Sequence, residues 1–310
     1  MKQLLRFYLP LLFTTSIIVS CSSDDDRDTV TTEQNLNRND ASQEPALQRL
    51  EFPKVKGGNS IVIIHSTNDE YGINYSVEWD CNKRSQRWSC YQIYAANRVQ
   101  RTSRYYPDKN KGEVQYPFDP NLPEGRYFSS DPFWGSGYDH GHICPSADRL
   151  YTVAANIQTF YLTNMQPQRN VFNAGLWQKM EEKLRSWIST GSKAEDTLYV
   201  CKGGTIDVVN SEGGVKDPIL ETLSNGLIVP KYFFMALLRK SKTGYKGLAF
   251  WVEHLNEDHS NDPLGNYVIS IRELEQRTGI DFFCNLPDNI EEEVETTTIE
   301  NIKWLWNLEK

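Results

Sequence analysis

The pattern of apolar and polar positions predicts β-strands in the first half of the chain. Three segments rich in β-branched and aromatic residues, 61–64, 75–79 and 88–94, are typical of strands. The last two flank a polar turn at 82–86 and predict a hairpin. Residues 107–137 are rich in Pro, Gly, Asp and Asn, which predicts a long loop. Because loops of this length commonly carry function, we expect functional residues in it or directly after it.

A helical period follows between residues 173 and 190. Its apolar stripe recurs every three or four residues: Leu176, Met180, Leu184 and Trp187. This spacing predicts an amphipathic helix that starts at Asn173 and carries Glu181 and Arg185 along one flank. Taken alone, these three polar residues are typical of an N-cap and of an exposed ion pair one helical turn apart.

The start of the chain has the pattern of an exported lipoprotein. Lys2 and Arg6 precede an apolar run that is too short for a membrane span and predicts a signal peptide over residues 1–20. The four residues that end at Cys21 resemble a bacterial lipobox, which implies cleavage before Cys21 and lipid on this residue. The alternative is an ordinary signal peptide that ends near a cysteine.

Residues 21–55 are acidic and polar without apolar periodicity, and predict a flexible tether. The expected location is therefore the cell envelope, with the lipid on Cys21 as the only contact with the membrane. An acidic stretch directly after Cys21 resembles a tag for the outer membrane. Both the cell surface and the periplasm stay open as destinations.

Composition supports a folded chain, with 39% hydrophobic and 12% aromatic residues in 310. The net charge of -8 argues weakly against a nucleic-acid partner. However, the window 81–107 contains six cations and no acidic residue: Lys83, Arg84, Arg87, Arg98, Arg101 and Arg104. Interleaved with aromatic residues, these cations predict either a surface that follows a sugar-phosphate backbone or a solvated hairpin face.

Five cysteines remain if Cys21 carries lipid, so at least one stays unpaired. In an oxidising compartment Cys81 and Cys90 could bridge the predicted hairpin, and Cys201 with Cys284 is a second pairing. None of the spacings is typical of a cysteine-rich zinc site.

Two of the five histidines lie in one segment, SGYDHGHICPSADR, at His140 and His142. On a strand they would share a face, as a zinc clamp requires. A second interpretation is one neutral imidazole that acts as a general base on water. A third is a pair of histidines held by hydrogen bonds without any chemistry.

The segments DHGH…PSADR and TNMQPQRNVFNAGLWQKMEEKLR together resemble the DNA/RNA non-specific endonucleases, the ββα-metal nucleases. That family has D-R-G-H in the first motif and an asparagine before a W-x-x-x-E-x-x-x-R helix in the second. The resemblance covers about residues 61–287. It implies one α/β (α+β) domain over 56–310, in which a central antiparallel sheet carries the hairpin and the histidines and is flanked by helices. We expect His142 and Asn173 to face one cleft.

The resemblance also implies roles for individual residues. His142 would be the general base that deprotonates water for attack on a phosphodiester. Asn173 would be the direct protein ligand of Mg²⁺, for which Mn²⁺ could substitute. Glu181 would hold a water of the metal, Arg185 would neutralise the phosphate, and Asp139 would orient the loop.

Further residues match polar positions of the family or depart from them. Asn164 and Gln168 would lie near the metal and the substrate backbone. His140 stands where the family has arginine, which predicts weaker turnover or activity at lower pH, with Arg149 as a substitute phosphate contact. The expected substrates are DNA and RNA with little sequence specificity, and a homodimer is left open. The alternatives are a non-catalytic surface lipoprotein that binds polyanions, and a zinc hydrolase that uses His140 and His142.

Overall fold

The structure, a computed structural model, describes residues 34–309. The strands of this part are β1 Ser60–Ser66, β2 Ile73–Asp80, β3 Ser85–Tyr94, β4 Asp139–His142, β5 Met165–Gln168, β6 Thr197–Gly204, β7 Ile219–Thr222, β8 Ile228–Pro230, β9 Tyr232–Ser241, β10 Gly244–Glu253 and β11 Val268–Ile269. Seven of them form one antiparallel sheet in the order β1-β2-β3-β6-β9-β10-β11. β4 pairs with β5, and β7 pairs with β8, in two small sheets. The predicted antiparallel sheet and the three predicted strands are confirmed.

Helices cover both faces of the large sheet. They are α1 Val153–Gln158, α2 Asn170–Phe172, α3 Gln178–Trp187, α4 Ile271–Thr278, α5 Asp288–Glu295 and α6 Ile299–Trp306. No helix within residues 34–309 combines the length and the apolar character that a membrane crossing requires. The predicted long loop is also present, since residues 107–138 contain no regular element beyond one short 3-10 turn.

The central strand β9 shows why the sheet needs cover on both sides. Phe233, Met235 and Leu237 point into a core with α3 and α6, whereas Phe234, Ala236 and Leu238 point into a core with α4 and α5. Successive side chains of a strand point to opposite faces, so a strand buried on both faces consists almost entirely of apolar residues. The sheet thereby forms a rigid base for the loops and helices at its edge.

The predicted helix is present but does not begin at Asn173. It starts at Asn170 with α2, widens into a π-helical turn over Asn173–Trp177, and continues as α3. Gly175 has φ -103° and ψ -106° inside this turn. Asn173 is therefore not an N-cap, and the prediction is corrected: its side chain projects from a widened turn, a feature that is frequent at functional sites.

The histidine segment is not part of the central sheet, which corrects a second expectation. β4 pairs only with β5, with His142 opposite Met165. The large sheet contains neither β4 nor β5, so the histidines lie on a separate two-stranded ribbon.

The folded part begins before residue 56, which corrects the predicted boundary of the tether. Asn35 and Asn39 donate side-chain hydrogen bonds to backbone carbonyl oxygens at Cys284 and Pro53 over 3.0 Å each. Phe52 is fully buried. Residues 34–55 are thus packed onto the domain. The predicted signal peptide, the lipid on Cys21 and the tether up to residue 33 lie outside the described residues.

The cysteines of the described part are free thiols, so both proposed disulfides are corrected. Cys81 packs in a small cluster beside Trp79, whereas Cys90 lies in the core that contains α4 and α5. Cys90 instead stands opposite Cys201 across β3 and β6. The predicted partner of Cys201, Cys284, accepts a hydrogen bond from Asn39.

Candidate active site

A polar cleft of about 590 Å³ lies between the β4–β5 ribbon and the helix that includes the π turn. Six of the predicted site residues line it: Asp139, His140, His142, Asn173, Glu181 and Arg185. The ribbon and the helix supply three of them each. The structure therefore brings the two sequence motifs together, and the expectation that His142 and Asn173 share one cleft is confirmed.

His142 is half-buried and has an unpaired ring nitrogen. Its Nε2 atom is buried and has no hydrogen-bond partner within residues 34–309. The ring packs edge-on against Phe160, with 4.9 Å between centroids. Burial, assisted by the positive charge of Arg104, lowers the pKa of His142 to about 3. The imidazole is therefore neutral at physiological pH, as a general base must be.

Asp139 fixes the helix to the ribbon. Its Oδ2 atom accepts hydrogen bonds from the side-chain amides of Asn170 over 2.9 Å and Asn173 over 3.0 Å. With its nitrogen engaged, Asn173 keeps its amide oxygen Oδ1 without a donor in the described part of the chain. This oxygen is a neutral ligand of the kind that Mg²⁺ accepts.

Glu181 is paired with a lysine from the central sheet. Lys202 in β6 is fully buried, and its Nζ atom lies 2.8 Å from Oε1 of Glu181. Burial raises the pKa of Glu181, and the charge of Lys202 opposes this rise. Lys202 also lies 5.0 Å from the ring centre of Trp177. No pattern in the sequence had indicated Lys202.

Arg185 is paired with Asp148 rather than with Glu181. Its Nη1 atom lies 3.1 Å from Oδ1 of Asp148, and Oδ2 of Asp148 accepts a hydrogen bond from the hydroxyl of Tyr91. The ion pair between Glu181 and Arg185, one of the two interpretations from sequence, is therefore not formed. Each side chain is instead positioned by a buried residue, Lys202 for Glu181 and Asp148, which lies within the first motif, for Arg185.

His140 is held on the opposite wall of the cleft. Its ring stacks on Tyr116 at 3.6 Å between centroids and on Phe133 at 4.4 Å. The Nε2 atom lies 2.9 Å and 3.1 Å from the two carboxylate oxygens of Asp131. Although burial opposes ionisation, the hydrogen bond from His140 keeps the pKa of Asp131 below its usual value.

This arrangement does not support the zinc clamp. The Nε2 atom of His140 is already engaged by Asp131. Within residues 34–309, the one group of three acidic, cysteine or histidine side chains close enough to share a metal is Glu275, Asp281 and Glu295, which excludes both histidines.

Gln168 explains the glycine between the histidines. It is fully buried, and a Cβ atom on Gly141 would lie 2.4 Å from its side-chain amide carbon. Glycine is thus required where Gln168 crosses the ribbon backbone. Gln168 is buried and does not line the cleft, which corrects its predicted role in substrate binding.

Asn164 and Arg149 are also corrected from substrate contacts to structural residues. Asn164 is fully buried, and its amide nitrogen donates to the carbonyl oxygens of Cys144 and Thr159 over 2.8 Å each. Arg149 is 1% exposed, and its guanidinium donates to backbone oxygens, including that of Gln92. Both side chains bind the backbone around the site, and neither lines the cleft.

The cations of the basic window 81–107 also differ in whether they line the cleft. Arg87 and Lys83 bind the carboxylate of Asp207, away from the cleft. Of the six cations, Arg104 alone lines the cleft, and it is exposed. The prediction of a continuous backbone-binding surface is therefore corrected to one arginine, whose position among the six no sequence signal distinguishes.

His254 supports the site although it belongs to neither sequence motif. Its Nε2 atom accepts a hydrogen bond from the backbone N–H of Arg169 over 2.7 Å, directly before α2. Its Nδ1 atom donates to the carbonyl oxygen of Pro230 over 3.0 Å. Only a neutral ring satisfies both bonds. Burial accordingly lowers the pKa of His254 to about 4.

Comparison with known proteins agrees with this geometry. The profile of the family described as DNA/RNA non-specific endonuclease matches residues 61–289. A nuclease from Nostoc sp. is 30% identical over 232 residues, which span 72% of this chain and 75% of that protein. The mitochondrial nuclease EXOG of Xenopus laevis is 26% identical over 221 residues, which span 69% of this chain and 58% of EXOG.

A solved structure supports the fold. The crystal structure of an EndoG/EndoGI complex contains a chain with a TM-score of 0.60 and 19% identity to this one, and the match covers 78% of this chain and 93% of that one. The matched family profile covers most of the described residues and includes both motifs of the cleft. The chain belongs to the DNA/RNA non-specific endonuclease family.

Proposed function

We propose that this endonuclease hydrolyses phosphodiester bonds of DNA and RNA with little sequence preference, with His142 as general base and Mg²⁺ held by Asn173. One observation carries the proposal: a neutral, half-buried histidine and an amide oxygen without a donor line the same cleft. Two cations at the same cleft, Arg104 and Arg185, suit a phosphate substrate.

The residues present fit a hydrated Mg²⁺ ion. Mg²⁺ prefers oxygen ligands and keeps most of its water. Asn173 would supply the direct ligand, and the cleft of about 590 Å³ has room for a hydration shell. The carboxylate of Glu181 at the cleft wall would accept hydrogen bonds from that shell. When bound, the metal supplies positive charge that stabilises the phosphate and the departing 3′ oxygen in the transition state.

The chain's own groups supply the remaining chemistry. Because Nε2 of His142 is buried, Nδ1 is the nitrogen that would take the proton from the attacking water. Asp139 keeps Asn173 in place, and Lys202 forms an ion pair with Glu181. Arg185, held by Asp148, would bind the phosphate. Phosphate contacts carry no sequence information, which suits cleavage with little sequence preference.

The metal requirement is tested with plasmid DNA and with RNA, each in Mg²⁺, in Mn²⁺ and in excess chelator. We expect cleavage of both substrates that chelator abolishes. Asn173→Ala should raise the Mg²⁺ concentration needed for half-maximal cleavage and lower the rate, because the direct ligand is lost. Asn301→Ala, on the exposed face of α6, is the matched control and should change neither. An unaltered Mg²⁺ dependence in Asn173→Ala would contradict the ligand assignment.

We also propose that Cys21 carries lipid and attaches the enzyme to the outer membrane. The support is the sequence alone: a short apolar run with Lys2 and Arg6 before it, and a lipobox-like ending at Cys21. A nuclease held there would act on nucleic acid outside the cytoplasm.

A further inference from the structure

An apolar groove of about 850 Å³ opens beside the active-site cleft and shares two of its walls, Tyr116 and His140. Three aromatic side chains that we call the aromatic shelf line it: Tyr106, Phe118 and Trp134. Trp134 is 88% exposed, Tyr106 is 74% exposed and Phe118 is 39% exposed. Large aromatic surfaces left in water at one place mark an interaction site.

Trp134 of the shelf is connected to the active site through Asp131. Asp131, which binds His140 in the cleft, also accepts the backbone N–H of Phe133 over 3.0 Å. The backbone N–H of Trp134 donates to the carbonyl oxygen of Asp131. Phe133 in turn stacks on His140. The same few residues therefore set the position of the cleft wall and of Trp134.

Charge in the groove does not suit a sugar-phosphate backbone. Lys109 is the cation among the groove-lining residues. The two carboxylates of the groove are engaged, since Asp131 binds His140 and Glu113 accepts hydrogen bonds from Asp108 and Tyr105. The groove therefore offers flat aromatic faces with little net charge, beside a cleft that offers cations.

We propose that the aromatic shelf stacks unpaired bases of a strand whose phosphate lies in the cleft, so that the enzyme favours single-stranded DNA and RNA. This inference rests on the proposed function. Stacking on aromatic side chains tolerates any base, because every base has a π face. In a duplex the base faces are already stacked on one another, and only base edges and phosphates reach a protein surface. The shelf thus selects strands whose bases are free.

The test compares kcat/KM on an oligodeoxythymidylate with kcat/KM on a duplex. Trp134→Ala should lower the single-strand value by roughly 5- to 100-fold through KM, the range for loss of one stacked base, with little change on the duplex. Trp134→Phe should restore most of the loss, because a phenyl ring still stacks. Tyr106→Ala should act in the same direction. Trp304→Ala is the control, since Trp304 is also exposed, at 66%, but lies outside the groove.

A strand with abasic sites in place of thymidine provides an independent comparison. Wild-type enzyme should bind it more weakly than the oligodeoxythymidylate, and Trp134→Ala should reduce this difference. Equal losses of kcat/KM in Trp134→Ala on single strand and duplex, or no loss on either, would overturn the proposed role of the shelf. The proposed role of the shelf would also be overturned if sedimentation detects a dimer in which Trp134 is buried. If wild-type enzyme cleaves neither substrate with Mg²⁺, the proposed function itself fails.

Discussion

Replacing Lys202 with methionine is expected to destabilise the protein in a pH-dependent way. Lys202 is fully buried, and its partner Glu181 has a side chain that is 11% exposed. Methionine keeps the length of the side chain but removes the charge, so the carboxylate of Glu181 loses its compensating cation. Breaking a buried ion pair on one side typically costs about 3–5 kcal/mol, a large part of a total stability of about 5–15 kcal/mol.

The pH dependence of this loss of stability follows from the pKa of Glu181. Burial already raises its pKa above the ordinary value of 4.5, and loss of Lys202 would raise it further. A carboxyl group with a raised pKa in the folded state favours the protonated form, so its folded state loses stability as pH rises above the unfolded pKa. The loss of unfolding free energy in Lys202→Met should therefore be small near about pH 4 and grow towards about pH 8.

Urea denaturation of four proteins measures this effect: wild type, Lys202→Met, Glu181→Gln and the double variant. The double variant should be more stable than the sum of the single losses allows, because each single variant leaves an unpaired buried group. Lys231→Met is the control, since Lys231 pairs with the exposed Asp217, and it should change stability little. Additive losses that do not vary with pH would refute the reasoning.

Two further predictions concern His254 and Cys21. The folded pKa of His254, about 4, lies below its unfolded value of about 6.5, so its contribution is complete above pH 6.5 and is lost as pH falls towards 4. His254→Phe should therefore reduce the acid-induced decline in unfolding free energy by up to about 3 kcal/mol, measured by denaturation across this range; an identical decline would contradict the assignment. Cys21→Ser should abolish labelling with radioactive palmitate and move the protein from the membrane fraction to the soluble fraction, whereas persistent labelling would exclude lipid on Cys21.

The sequence predicted the strands and the residues of the cleft because their signals are local. β-Branched and aromatic runs define β1 to β3, and the two motifs contain His142, Asn173, Glu181 and Arg185. The start of the helix was wrong because it depends on His254, which is distant in sequence and accepts the N–H of Arg169.

The supporting contacts could not be predicted because they form only through tertiary packing, even for Asp148, which lies within the first motif. Lys202 reaches Glu181 from the centre of the sheet, and Asp148 reaches Arg185 from a turn. Conversely, Asn164 and Arg149 lie within or next to the motifs but are buried, so proximity in sequence overestimated their access to substrate. Polarity identified these residues, whereas only the fold decides whether a polar group faces the cleft or the backbone.

Cleavage by His142→Ala under single-turnover conditions tests the central claim most directly. Loss of the general base should lower the cleavage rate by about 10²–10⁴-fold, while binding of Mg²⁺ and of DNA stays close to that of wild type. His259→Ala, which removes a surface histidine outside the cleft, is the control and should retain the wild-type rate. Cleavage by His142→Ala at the rate of the wild-type enzyme would contradict the account.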